Sequence, residues 1–488
     1  MAAMHSTKRS GAPLGRTTRG TSGEPIGELT RALTRRGVIA SGGAVAGGLA
    51  LAACGPFTGL GGSESAAQKE PVTLRLSFPA GTAEHAIGTR GPVFEQRFPH
   101  VTLSFEPSSE YLEKLATQIA SDTVSDLMFL ESDDEAFYGF WAAKGALRQL
   151  DPFVARDKYD MSVFLPQAVE ALKVVDGKLW AFPYSAFMAR CGLFYNKNLF
   201  AESGLPIPTD DWTYDDIIQH AKRMTVRRGP EVAVWGGGRK FGGDMAVMAV
   251  TRAFGGDIYS ADGKKTLLAS PKSQEAISWW FDRSLIDQTV ANDLIVGAGE
   301  APGPMELFQQ GKLAFLMGHN PGDRVDVARA LNPAGVPWGL ALMPKGPAGR
   351  RGGAFFNSPL GMAKITKHET EAWELQKFLA EKETGVIMGL PAPGSGQRSS
   401  HFGARKDVYQ DKRVLSAPDM PPGVMAALAR SMELPEPFRF AANFQAAAVE
   451  EVLNRELRKA LRREVQYDSG YFENLAAQIQ AILDQPAP

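Results

Sequence analysis

Cysteine is almost missing from these 488 residues: only Cys54 and Cys191 occur. A chain with so few thiols cannot rest on a disulfide framework, so its stability has to come from a buried core. A membrane-spanning run is also missing. The apolar stretch from Val38 to Ala53 has 16 residues and is rich in glycine, whereas a span needs ~20 predominantly apolar ones. Basic charge is not in excess. Residues 1–53 carry seven Lys/Arg and two Asp/Glu, and the remainder carries 46 and 52, a formal charge of −6. That balance, with no basic cluster interleaved by aromatics, argues against a nucleic-acid surface. The seven histidines are dispersed, without His-Glu-x-x-His or close ligand spacing, so no dedicated metal site and no cofactor is expected. There is no Gly-x-Ser-x-Gly elbow. "VWGGGRKFGGD" lacks the Walker spacing of a phosphate cradle. "TYDD" (213–216) fits a capping box rather than a carboxylate dyad, and "RELRKALRREV" (455–465) reads as a solvated helix face.

What is present begins with an address label. Thr34-Arg35-Arg36-Gly37-Val38-Ile39 resembles a twin-arginine export motif, and Leu51-Ala52-Ala53-Cys54 resembles the box at which bacterial lipoproteins are cut and acylated. Charge, apolar stretch and small residues stand in the order of an export signal. The competing reading is a buried amphipathic helix. On the first reading residues 1–53 are removed and Cys54 becomes the acylated N-terminus. The protein is then held by several acyl chains at the outer face of the cytoplasmic membrane, anchored without spanning it. Cys191, in apolar "ARCGLFYN", then has no partner and reads as buried filler.

Gly and Ser in residues 54–70 make a flexible tether, and the fold should start at Pro71. "VTLRLSF" puts Val72, Leu74, Leu76 and Phe78 on one face at period two, "HVTLSFEP" does the same with Val101, Leu103 and Phe105, and "DLMFL" (126–130) suits a buried strand. "SSEYLEKLATQIAS" opens on a serine cap candidate and carries Leu112, Leu115 and Ile119 at helical spacing. "SQEAISWWFDRSLI" reads as a helix with Trp279 and Trp280 as core. Strand alternating with helix predicts an α/β fold with a parallel sheet covered on both faces. In such sheets ligands meet the loops at the carboxyl ends of the strands, here 79–85, 106–111 and 131–138.

Seven segments, in order, resemble one family: the extracellular solute-binding proteins (family 1) of sugar-type ABC importers. They are "FEQRFPHVTLSFE" (94–106), "YLEKLATQIASDTVSDLMFL" (111–130), "WAAKGALRQLDPFV" (141–154), "VVDGKLWAFPYS" (174–185), "LFYNKNLFAESGLPIPTDDWTYDDI" (193–217), "FQQGKLAFLMG" (308–318) and "EAWELQKFLAEKETG" (371–385). The resemblance implies a type II periplasmic-binding-protein-like fold. Two α/β lobes, residues 71–182 plus 357–398 and residues 187–353 plus 401–488, would close on a small solute and present it to permease subunits. The crossovers would lie near 182–187, 354–358 and 396–400, where Pro183, Pro359 and "GLPAPGSG" are breakers. It further implies a monomer that leaves its solute chemically unaltered.

A saccharide, the first choice of solute, needs aromatic faces and groups that pair its hydroxyls. On lobe one the nominees are His85, Glu131 and Asp133, the last where the resemblance places a hydroxyl-binding carboxylate, with Tyr184 at the first crossover. On lobe two they are Trp235, His319, Asn320 and Phe444. Where relatives often carry an aromatic after the strand matching "AFLMG", this chain has "HNPGD", so polar groups replace a stacking ring. Phe355, Phe356 and Asn357 at the second crossover restore apolar contact, and Arg398 near the third could meet a carboxylate or phosphate. Each has a structural competitor: Trp235 and Phe444 as core, the acids as a solvated loop, His85, His319 and Arg398 as surface groups, the asparagines as turn formers. Two other functions stay open, a secreted carbohydrate-active enzyme using two loop carboxylates and a lipoprotein sensor or scaffold.

Overall fold

The computed structural model describes residues 69–80, 84–131, 138–173, 175–239, 243–292, 302–392, 399, 401–437, 439 and 441–487. The export label, Cys54, Asp133 and Arg398 lie outside them. Among the described residues no helix is long and apolar enough to cross a membrane.

Among the described residues twelve strands occur: β1 (Val72–Pro79), β2 (Val101–Ser108), β3 (Leu127–Phe129), β4 (Ala181–Ala189), β5 (Gly192–Asn196), β6 (Val226–Arg228), β7 (Glu231–Arg239), β8 (Val290–Asn292), β9 (Leu313–His319), β10 (Trp338–Leu342), β11 (Ala354–Met362) and β12 (Phe402–Gly403). They form two sheets. The first runs β12-β4-β11-β3-β1-β2, and the second β10-β5-β9-β7-β6 with β8 beside β7. This is the two-lobe periplasmic-binding-protein-like architecture.

The period-two residues of β1 behave as expected: Leu74, Leu76 and Phe78 are buried. β1 is parallel to both β2 and β3, as helices Glu84–Arg97 and Tyr111–Ala120 between them require. The sheet is nevertheless mixed, because β11 runs antiparallel to β3 and β4. A strand returning from the second sheet enters from the opposite end. The serine cap expected for the helix at 111 does not form. Glu110 is the N-cap, without a side-chain bond, and Ser108 instead accepts from the Glu110 N–H at 3.2 Å. The capping box is present, Thr213 and Asp216 closing the start of helix Tyr214–Met224.

β4 and β11 are neighbours in the first sheet. They pair from Ala181↔Gly361 to Ala189↔Ala354, with one irregularity: Ser185 faces Ser358 and Phe182 faces Leu360, so Pro183 and Tyr184 oppose Pro359 alone. The two prolines therefore sit in a bulge, where neither is asked for a ladder N–H. Below the bulge Phe182 packs edge-on to Trp373 at 4.9 Å, and the Trp373 N–H donates to Asp157 at 2.7 Å. Trp279 and Trp280 lie on helix Pro271–Leu285 with Trp280 fully buried. The glycines of "WGGG" serve packing. A Cβ on Gly236 would collide with the Ala221 backbone, and one on Gly238 with Leu313.

Candidate functional site

β3 and β4 are both antiparallel to β11, so their carboxyl ends, like those of β1 and β2, point the same way. β4 passes through Arg190 and Cys191 into β5, whose first residue Gly192 pairs with His319 at the carboxyl end of β9. β7 and β8 run parallel to β9. The carboxyl ends of both parallel sets therefore converge on one junction, where loops and free backbone groups gather.

On the second-sheet side that junction is polar yet buried. Arg190, Arg239, Asn292 and His319 all belong to the interior. Arg239, 2% exposed, lies over the Trp280 ring at 4.3 Å and donates to the Ala246 carbonyl at 3.4 Å, while its Nη1 has no partner among the described residues. Gly318, beside the guanidinium, takes φ 63°, a left-handed backbone conformation that favours glycine. Burial pulls the Arg239 pKa down to about 10, so it stays charged at neutral pH. His319 Nδ1 meets Asp323 at 3.0 Å and Nε2 has no partner among the described residues. Asn320 Oδ1 accepts from the Arg190 N–H at 3.0 Å, and the Asn320 N–H donates to Asp323 at 3.2 Å. "HNPGD" thus builds a turn that fastens β9 to the end of β4.

On the first-sheet side the Tyr111 hydroxyl donates to the Phe129 carbonyl at 2.6 Å, fixing the end of β3. Glu131 follows, half-buried, its carbonyl accepting from the Tyr138 N–H at 3.3 Å. His85 is half-buried beside Thr89 at 3.5 Å, and its partial burial lowers its pKa.

Beside the junction lies a cavity of ≈ 740 Å³, within the size range of small-molecule sites. One wall is the helix Pro166–Glu170, and the other combines Ala261–Gly263 with the segment from Pro435 to Phe444. Both walls are tied to β11, two residues apart. Asn357 Nδ2 donates to the Ala168 carbonyl at 3.0 Å, and the Phe355 N–H donates to the Glu436 carbonyl at 2.7 Å. Gln167 Nε2 reaches across to the Leu434 carbonyl at 3.3 Å. The second wall is held by charge: Arg252 and Arg439 both contact Asp257 Oδ2, at 3.0 and 2.9 Å, and Arg350 grips Glu436 bidentately. On the other hinge side Phe187 stacks against His401 at 4.6 Å and lies 4.6 Å from Phe356.

The structure brings Phe355, Asn357 and Phe444 to this cavity, Phe444 as lining and the other two as anchors of its walls. It brings His319 and Asn320 to the junction, and leaves His85 and Glu131 at the first sheet's carboxyl ends. Tyr184 and Trp235 sit elsewhere. Tyr184 is 2% exposed, edge-on to Phe129, with no hydroxyl partner among the described residues. Trp235 is 9% exposed and four residues upstream of Arg239, ~13 Å from the carboxyl end at strand spacing. Residues the sequence did not single out are Gln167, Arg190, Arg239 and Arg439. Only Arg439, an arginine within proline- and phenylalanine-rich "PEPFRF", carried a local signal.

Residues 77–386 match the model of the bacterial extracellular solute-binding protein family. A protein of Brucella abortus named for binding is 26% identical over 295 residues, 59% of this chain and 67% of its own length. An ABC substrate-binding protein of Listeria monocytogenes, solved in complex with cycloalternan, superimposes with TM-score 0.68 at 21% identity, covering 84% of this chain and 99% of that one. Maltose-bound MalE3 of T. maritima gives TM-score 0.65 at 22% identity with the same coverage. The match spans well over half of the chain and the fold agrees with it: this protein is a member of the bacterial extracellular solute-binding protein family, the receptors of ABC transporters.

Proposed function

We propose that this chain is a lipid-anchored, extracytoplasmic receptor that captures a small solute, a mono- or oligosaccharide, by lobe closure and delivers it unaltered to an ABC permease. In this reading the lobes are residues 71–182 plus 357–398 and 187–353 plus 401–488, residues 54–70 are the tether, and Cys54 carries the lipid. The observation that carries the reading is the convergence of both parallel strand sets on one junction beside a cavity whose two walls are each tied to β11. A solute that touches both walls favours the closed form by its differential affinity for closed over open, and closure is the signal that a permease can read. Glu131, Asp133, His85, His319, Asn320 and Arg398 supply polar contacts in this proposal, with Phe444 offering a ring face. Tyr184 and Trp235 are retained only as supports beneath the site.

Two experiments test it. Calorimetry and thermal melting against a panel of saccharides should give saturable stabilisation without turnover, about 2.7 kcal/mol when free solute is a hundredfold above Kd. Turnover would support the enzyme reading, and a flat response across the panel the scaffold. Expressed in a bacterial host, Cys54→Ala should move the protein from the membrane fraction to the soluble one.

A further inference from the structure

We infer that the cavity beside β11 takes a solute carrying an anionic group, a carboxylate or a phosphate, together with hydroxyls, and that Arg439 is the residue that holds the anion. This rests on the receptor reading above. The second wall contains three guanidinium groups, of Arg252, Arg350 and Arg439, against two carboxylates, of Asp257 and Glu436. Arg252 is 0% exposed and does not line the cavity; its Nε donates to Asp257 and its Nη1 to the Gly353 carbonyl at 3.0 Å and the Pro437 carbonyl at 2.6 Å, while its Nη2 is buried without a hydrogen-bond partner among the described residues. Arg350 is matched by Glu436. Asp257 Oδ1 is already taken by the Ile258 N–H at 2.9 Å, so a single oxygen, Oδ2, serves both Arg252 and Arg439.

The surplus positive charge therefore falls on Arg439. It lines the cavity, its side chain is 30% exposed, and neither of its terminal nitrogens makes a hydrogen bond among the described residues. A guanidinium whose Nε lies in ion-pair contact with Asp257 without a hydrogen bond, and whose Nη groups are open, is a fork for a planar carboxylate or for two phosphate oxygens. The acids of the same cavity, Glu170 and Asp262, lie at its exposed rim. Glu170 is paired with Lys173 at 2.9 Å, and Asp262 accepts from the Ser260 hydroxyl at 2.6 Å and the Lys264 N–H at 3.2 Å. Rim carboxylates suit sugar hydroxyls, which donate to them. Phe444 offers its ring to the sugar's apolar side.

The test is calorimetry of the full chain with glucose, maltose, glucuronate, galacturonate and glucose 6-phosphate, on the native protein and on Arg439→Gln and Arg439→Lys. The expected result is that at least one anionic sugar binds ten times more tightly than its neutral parent. Arg439→Gln should remove that advantage while the variant still melts cooperatively and keeps its affinity for any neutral sugar that binds, and Arg439→Lys should restore part of it. The uronates against the phosphate decide which anion is meant. Equal affinity for neutral and anionic sugars, or an anionic affinity indifferent to Arg439→Gln, overturns the inference and leaves the receptor reading standing. No binding anywhere in the panel counts against both.

Discussion

The two walls of the cavity are held by different physics. The helix Pro166–Glu170 is tethered to β11 by a hydrogen bond from the Asn357 side-chain amide to the Ala168 carbonyl, and touches the opposite wall through Gln167 to Leu434. The segment from Pro435 to Arg439 is locked by a shared-carboxylate ion network reaching the fully buried Arg252. Buried charges are costly to separate, whereas single neutral hydrogen bonds contribute about 1 kcal/mol each. The contrast teaches which side should yield: a receptor that opens and closes needs one wall whose contacts break cheaply and one that keeps its shape.

Breaking the rigid wall should have the largest effect. Arg252→Met leaves the buried Asp257 with Arg439 as its remaining charged partner, takes the donor from the Gly353 and Pro437 carbonyls, and should lower unfolding free energy by about 3–5 kcal/mol in urea titration; a loss below ~1 kcal/mol would show that the network is not what holds the wall. A pH scan sharpens the comparison from outside, since His401 belongs to neither wall. Burial and the nearby Arg324 charge lower its pKa to about 4 from 6.5. Its contribution is therefore complete above about 6.5 and is lost as pH falls toward 4, because only the unfolded chain takes up the proton there; the loss should be about 3 kcal/mol. His401→Gln should flatten that part of the curve. The softer wall should respond less: Asn357→Ala leaves the Ala168 carbonyl without its donor and should cost about 1–3 kcal/mol. Smallest of all, Gln167→Ala should change stability by no more than ~1 kcal/mol while shifting the solute-free protein toward the open form, read as a larger radius of gyration in solution scattering.

Much of the fold was legible because its signals are local. Period-two strands, the Thr213–Asp216 box and the buried Trp280 follow from neighbouring residues alone. The mixed order of the first sheet was not, since β11 lies far along the chain from β3 and nothing in either strand names its partner's direction. The site shows the same division. Phe355 and Asn357 were nominated because breakers and family order pointed to a crossover at 354–358, and Phe444 as a lobe-two aromatic; all three lie at the cavity or tie its walls. Arg439 was missed because its meaning depends on Arg252 and Asp257, residues remote in sequence that meet only after folding. Tyr184 and Trp235 show the converse: a large aromatic at the right sequence position can be consumed by the core, as Tyr184 is against Phe129.

Closure itself is open to direct measurement. With Cys54→Ala removing one thiol and Cys191 buried, spin labels on Glu170→Cys and Asp262→Cys report the separation of the two walls by pulsed electron resonance. A saturating solute from the calorimetric panel should replace a broad, longer distance distribution with a narrow, shorter one. A distribution that stays the same while calorimetry shows the solute bound would contradict capture by lobe closure.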